Sequence, residues 1–370
     1  MPEMKTARYV TPVIFGVVAV AAVLIVLRQP EKNDPSIYLK QGVVVIEKPN
    51  TTLADVALAV GDPSIFSYDA KERKARANAH VGVFGKGSLH IGTETQGELL
   101  EFDTNVCGGA SLQIGPDAAV EVLNSEIATT HRTVSAGVCT RGYIVYCDGR
   151  ITARNSKFHY ISGNRSQFFR ADAGGVLENV EIRLSDGASL KMVEVDGSRL
   201  LFSGCRFETA GKYGLFLSGS TRKPVRIEAS TLFGTTADIF LSQGAGELVL
   251  VDCRFRRRGI SFENSRGSVH VKWRARVKVT RAGRPLAGAT VAAEGSGEKV
   301  TAQTDSDGLA VMELTEEIIA ASGTRQVTPH VFSVTAGNKT LVTSAPLEVT
   351  GQADAIGEIV LDAEPGAGGR

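Results

Sequence analysis

The sequence predicts an all-β chain: an N-terminal apolar helix, then a solenoid of stacked coils, then a small second β unit. Three observations carry that prediction. The six residues FSGCRF at 202–207 return as LVDCRF at 250–255, with IEASTL at 227–232 between them. Forty glycines sit in a chain that is 43% hydrophobic yet only 6% aromatic, a balance that favours many short strands and turns. A run of nineteen uncharged residues, Tyr9 to Leu27, stands near the N-terminus. At 370 residues the chain has room for two ordinary domains, and its net charge of +1 argues against a global pull toward nucleic acid. The basic stretch RFRRRG at 254–259 reads as a solvated turn.

The N-terminal run, YVTPVIFGVVAVAAVLIVL, is flanked by Lys5, Arg8 and Arg28 and is long enough as a helix to cross a hydrocarbon core of ~30 Å. A cleaved signal peptide is the competing reading. Its apolar region is usually shorter and ends in a small-x-small site, whereas this one ends VLIVLRQP. Residues 1–30 are therefore expected to be an uncleaved membrane anchor, with the bulk of the chain extracytoplasmic, in a periplasm or at a cell surface. Residues 31–79 follow as a linker and a capping helix, the helix being TTLADVALAV at 51–60, which has an N-cap and helical spacing and stops at Gly61-Asp62-Pro63.

From there the repeat takes over. The sixes end at Ile127, Phe158, Ile182, Phe207, Leu232 and Phe255, at intervals of 31, 24, 25, 25 and 23. Such a period means coils that cannot bury their apolar face until a neighbour covers it. The first column (Val122, Ala153, Leu177, Phe202, Ile227, Leu250) and the last should point into the stack. The third (Asn124, Asn155, Asn179, Gly204, Ala229, Asp252) holds mostly residues that tolerate a left-handed bend. The fourth is small, and the fifth (Glu126, Lys157, Glu181, Arg206, Thr231, Arg254) should form an outward ladder of mostly opposite charges. A second strand recurs as FFRAD, MVEVD, LFLSG, IFLSQ and ISFEN. The 31-residue interval contains an excursion, ATTHRTVSAGVCTRGYIVYCDGR, that reads as a projecting loop carrying His131.

Two phased strands per period with room for a third, and asparagine at the bend, resemble the right-handed parallel β-helix of the pectate-lyase-like superfamily, over residues 80–272. That resemblance implies fold more than function, because the superfamily includes lyases, hydrolases, epimerases, adhesins and inert scaffolds. From Val269 the grammar changes to long alternation. The stretches GRPLAGATV and TDSDG resemble the carboxypeptidase-regulatory or transthyretin-like Ig-type sandwich, which implies a spacer or adhesion module over residues 273–361, followed by a flexible tail at 362–370. Asp305 and Asp307 in D-x-D-G read as a turn, not a calcium loop.

No P-loop, dinucleotide fingerprint, H-E-x-x-H, nucleophile elbow or paired C-x-x-C is present, so nucleotide chemistry, zinc peptidases and the usual serine hydrolases drop out. No metal site and no cofactor are expected from the five cysteines. Cys205 and Cys253 recur in the repeat as small buried residues, while Cys139 and Cys147 form a disulfide candidate with Cys107 as a competing partner.

Chemistry is sought on the outer face of the second strand. With Phe169, Val193, Leu215, Ile239 and Ile260 inward, Arg170, Glu194, Phe216, Phe240 and Ser261 stand outward, beside Asp172, Asp196, Ser218, Ser242 and Glu263. Glu194, Phe216, Ser218, Phe240, Ser242 and Glu263 are the candidate ligand-binding set, since rings stack on sugar faces while acids and hydroxyls bond the OH groups. A one-residue slip would instead bury both phenylalanines. Asp172, Asp196 and Arg170 are the candidate catalytic set, two acids one coil apart beside a base; only under that lyase reading is Ca2+ implied. The leading expectation is a membrane-anchored module of the cell envelope, binding or structural, that faces glycans or another surface protein. The alternatives are a polysaccharide lyase or glycoside hydrolase, and a scaffold subunit of a membrane-associated assembly. No nucleic acid or nucleotide partner is expected.

Overall fold

The computed structural model describes residues 34–363 apart from 104–109, 131–141, 163–165, 172, 185–188, 210–211, 338 and 350–358. The apolar run at 9–27 and His131 lie outside the described residues. Among those described, no helix is long and apolar enough to cross a membrane.

Three sheets run along the solenoid, one strand of each per coil. The first contains Ser88–Ile91, Ala119–Leu123, Arg150–Arg154, Gly174–Glu178, Leu200–Ser203, Val225–Glu228 and Glu247–Val251, each parallel to the next. The second contains Lys74–Ala77, Leu99–Phe102, Glu126–Thr129, Lys157–Ile161, Glu181–Leu184, Arg206–Thr209 and Thr231–Phe233, also parallel. The third begins with Val43–Ile46, His80–Val83, Ser111–Ile114 and Ile144–Cys147. A single bridge from Tyr146 to Gln167 carries it on to Phe169–Arg170, Leu190–Val193, Tyr213–Ser218, Ala237–Leu241 and Ile260–Phe262. Stacking thus starts well before residue 80, and residues 144–147, read from the sequence as part of a loop, are a regular rung.

The recurring six residues are not a strand but the corner between two. In FSGCRF, Phe202 belongs to the first sheet, Gly204 is the bend, and Arg206 opens the second sheet. All six residues of the third column have positive φ: 50° at Asn124, 48° at Asn155, 54° at Asn179, 64° at Gly204, 45° at Ala229 and 54° at Asp252. Three asparagines form an amide ladder, the Asn155 Nδ2 donating to Asn124 Oδ1 at 3.3 Å and the Asn179 Nδ2 to Asn155 Oδ1 at 3.2 Å. The fourth column is buried, and its hydroxyls and thiols satisfy backbone at the turn: Ser156 Oγ donates to Val122 O, Cys205 Sγ to Leu177 O and Cys253 Sγ to Ile227 O. The first column closes the core; Leu177, Phe202, Ile227 and Leu250 are each 0% exposed, worth roughly 1.5–3 kcal/mol apiece by transfer.

The outward charge ladder differs from expectation. Glu126 and Glu181 do not pair mainly along their own column: both reach His159, at 3.0 and 3.3 Å, and Arg183 binds Glu181 at 2.9 Å and Glu208 at 3.4 Å. Longer side chains reach diagonally to the next outward column, so two columns interleave.

Both ends of the stack are covered. Thr52 caps the helix Leu53–Val60 with a capping box to Asp55, Gly61 ends it at φ 66°, and Leu53 and Val56 enter the core. At the other end Ser268–Arg281 pairs in parallel with Glu247–Val251 and then runs on, antiparallel to Leu309–Ala320 and parallel to Ile359–Asp362. A second sheet of Glu298–Gln303, Thr290–Gly295, Val331–Ala336 and Lys339–Thr343 shares its core, with Val277, Met312, Val291 and Phe332 all buried. The boundary between 272 and 273 therefore falls inside one continuous strand. Asp305 Oδ1 accepts from the Asp307 and Leu309 amides, a turn as read from the sequence.

Candidate functional site

The third sheet carries the features that fit a ligand. In its upper part Gly82, Gln113 and Tyr146 form an outward file, one per coil. Alternation puts Val81, Val83, Leu112, Ile114, Val145 and Cys147 into the core and leaves this file facing out. Phe84 folds back across the two glycines beside it: a Cβ on Gly82 would lie 2.2 Å from the ring, and one on Gly115 3.1 Å from it. The missing side chains are what let the ring lie flat on the sheet. Asp148 and Arg170 close the far side as an ion pair at 3.3 Å. Phe84, Gln113, Gly115, Tyr146, Asp148 and Arg170 surround a cleft of about 220 Å³.

Three to four coils further on, a second feature occupies the same face. Tyr213 stacks on Phe240 with ring centroids 4.2 Å apart and 13° between planes, and Phe216 stacks on Phe240 at 5.2 Å and 20°. Leu215, Leu217, Ile239 and Leu241 fill the core, so both phenylalanines point outward, one of the two orientations the sequence left open. Yet Phe240 is only 8% exposed, because its neighbours' rings cover its faces. The rings offer edges and one outer face, not a broad platform.

The remaining sequence-predicted residues fall out differently. Arg170 aligns with Val193, not with Glu194, and Lys191 aligns with Phe216. The inward residues of that coil are Leu190 and Met192, so Val193 is turned out of the core. The offset arises because the chain bends at Glu194 with φ 56°, part of a second left-handed file with Ala171, Gly219 and Gly244. Glu194 is thus an exposed bend residue, remote in role from a binding strand. Ser218 and Ser242 are half-buried beside the aromatic stack, and Glu263 is exposed past the end of the sheet. Asp172 lies outside the described residues. Asp196 accepts from the Ser198 amide at 3.0 Å and the Ser198 hydroxyl at 2.6 Å, capping a 3-10 turn; these bonds hold its carboxyl below the usual range. Cys147 is a free thiol turned into the core, pushed up to about 12 by burial, and Cys139 lies outside the described residues. Among the described residues no three His, Cys, Asp or Glu side chains gather as metal ligands.

Phe84, Gln113, Tyr146, Asp148 and Tyr213 were not singled out from the sequence. The signal that could have found them is the alternation in HVGV, SLQI and IVYC, which aligns Gly82, Gln113 and Tyr146 once the coils are superposed.

Residues 103–272 match the family model described as a right handed beta helix region. The match covers the coils that bear most of the cleft and all of the stack, and it supports the parallel β-helix; residues 273–361 lie beyond it. Among solved structures, a crystal structure of a double mutant of the periplasmic alginate epimerase AlgG is similar, at 13% identity and a TM-score of 0.46. The likeness covers 64% of this chain and 58% of that one, so the chain spans less than two thirds of that structure's length. A search of curated proteins finds no match.

Proposed function

We propose that this protein is a membrane-tethered, extracytoplasmic glycan-binding module whose ligand lies on the third sheet of the β-helix. The observation that carries the reading is the cleft: two aromatic rings, a glutamine and an Asp148–Arg170 pair around about 220 Å³. Rings supply apolar contact to the C–H face of a sugar, and the amide and ion pair supply directional bonds to its hydroxyls. The stack at Tyr213, Phe216 and Phe240 lies along the axis on the same face, and coils repeat every ~4.8 Å. A chain-like ligand running parallel to the axis would meet both. Binding is favoured over acid-assisted hydrolysis because Asp196 is engaged as a turn cap by Ser198 with a lowered carboxyl, the opposite of a poised proton donor. In this reading the run at 9–27 is the tether, and the C-terminal strands form the Ig-type spacer that the sequence resembles.

Affinity electrophoresis and glycan arrays with the full chain test this. Tyr146→Ala and Phe84→Ala are each expected to weaken retention about tenfold, the worth of one well-packed ring, with circular dichroism unchanged. Equal retention of both variants and the parent, or release of cleaved product, would refute the assignment.

A further inference from the structure

We propose that Ser268, His270 and Glu247, on the outer face of the first sheet where the solenoid passes into the C-terminal sheet, form a nucleophile, base and acid triad that hydrolyses a carboxylic ester. The strand Ser268–Arg281 alternates: Val269 and Val271 enter the core, so Ser268, His270 and Lys272 stand together on the outside. Ser268 Oγ and His270 Nε2 are 3.1 Å apart. On the other side of the ring, His270 Nδ1 faces Glu247 Oε1 at 3.4 Å. Register places Glu247 there, because it pairs directly with Ser268 on the neighbouring strand. A carboxylate can only accept, so the ring proton belongs on Nδ1, and Nε2 turns its lone pair toward the serine hydroxyl. That is the order of roles a serine nucleophile needs: hydroxyl, base, and an acid that fixes the tautomer. Such a set is recognised by geometry and not by sequence position, so the lack of a nucleophile elbow in the sequence does not bear on it.

The surroundings keep the ring neutral. Val249 and Ile318 flank His270 on the strands to either side, and Val249 is almost wholly buried. Burial lowers the His270 pKa from its ordinary 6.5; Glu247 and Glu298 pull it upward, while Lys272 and Arg325 add to the fall. The ring is therefore an unprotonated base at neutral pH. Lys272 lies 3.4 Å from Glu298, and Arg325 donates to Ser296 O at 2.8 Å; their charges favour an oxygen that turns negative nearby. In the first step Ser268 Oγ attacks the ester carbonyl carbon and its proton passes to His270 Nε2. The bond from that carbon to the alcohol oxygen then breaks, and the alcohol leaves with the proton. Water, deprotonated by the same nitrogen, attacks the acyl-serine, releases the acid and restores the hydroxyl. Ser268 and His270 are thus catalytic residues and Glu247 a positioning one. A comparison set stands at the other end of the same sheet, where Ser88 Oγ is 3.4 Å from His90 Nε2 and His90 Nδ1 is 2.8 Å from Glu121. There the hydroxyl accepts from the Asn50 amide at 2.6 Å and stands further from its base, so the geometry selects Ser268 over Ser88. The triad stands independently of the glycan cleft, which belongs to the third sheet.

The test treats the full chain with a fluorophosphonate, which modifies activated serines, and maps the product by peptide mass spectrometry, while hydrolysis of p-nitrophenyl acetate is followed in parallel. The adduct is expected on Ser268 and not on Ser88, and it should be lost in His270→Gln. Hydrolysis should fall about a hundredfold or more in Ser268→Ala and in His270→Gln, with circular dichroism unchanged. Glu247→Gln should slow the reaction and move the acid limb of its pH profile downward, since Glu247 works to raise the ring; a merely structural role would leave that limb in place. Mapping of the parent chain decides the matter even where a variant misfolds. An unmodified Ser268, or an adduct on Ser88 in its place, overturns the proposal, as does hydrolysis unchanged in Ser268→Ala.

Discussion

Asn155 shows how much one side chain does in this fold. Its φ of 48° costs an ordinary L-residue roughly 1–2 kcal/mol, and its amide both donates to Asn124 and accepts from Asn179. Replacing it with valine keeps the size but adds β-branching in a left-handed bend and leaves two amides without their partner. Asn155→Val is expected to lower unfolding stability by about 2–3 kcal/mol in urea titrations, and Asn155→Gly by less, because glycine removes the strain but not the ladder. The thiols one residue further along their corners make a related point: Cys205 and Cys253 take the place of serine, donating weakly to a carbonyl one coil back, with burial raising Cys205 to about 11 and Cys253 to about 12. They are packing residues, inert as nucleophiles at neutral pH.

At the scale of elements, the corner was legible in the sequence because it demands residue types: asparagine or glycine at the bend, a small residue after it, apolar residues on either side. The second left-handed file, Ala171, Glu194, Gly219 and Gly244, was not, since two of its four members are types that carry no bend signal. Missing it displaced Val193 and Glu194 by one position. The cleft was hidden for a different reason: Gly82 and Gly115 become a floor for Phe84 only when rungs some thirty residues apart are superposed, as the file from Gly82 to Gln113 shows. The strand Glu298–Gln303 opens on an acid that ties it to its neighbours, accepting from the Thr315 amide and hydroxyl and pairing with Lys272. Burial works to raise the Glu298 carboxyl, but His330, the Thr315 amide and hydroxyl, and the Lys272 charge outweigh it and hold the group at about 2, below its ordinary 4.5. A depressed folded value means stability that is present above pH 4.5 and is lost as pH falls toward 2. Urea midpoints should therefore drop through that window, and Glu298→Gln should flatten the drop while lowering stability at neutral pH.

At the scale of the whole molecule, among the described residues, one strand serves both halves. Ser268–Arg281 is the last rung of the first sheet and the central strand of the C-terminal sheet. Across the seam, Arg274 reaches Asp252 at 2.9 Å and also Glu228, while Arg226 joins Glu228 and Glu313; Trp273 donates to Glu316 at 2.6 Å. Such shared pairing leaves little for either half to keep if the other melts. Calorimetry is expected to show a single transition with matching van't Hoff and calorimetric enthalpies for the described body, and a chain stopped after residue 267 should be insoluble. Two separated transitions would mean that the strand can be divided. The constant rise per rung has a further consequence. Adding or removing one whole turn of about two dozen residues would slide the cleft and the Tyr213–Phe240 stack apart or together by a fixed ~4.8 Å step, without altering the make-up of either. The solenoid is in that sense a ruler, and lengthening it is a way to reset the distance between two outward features of one face.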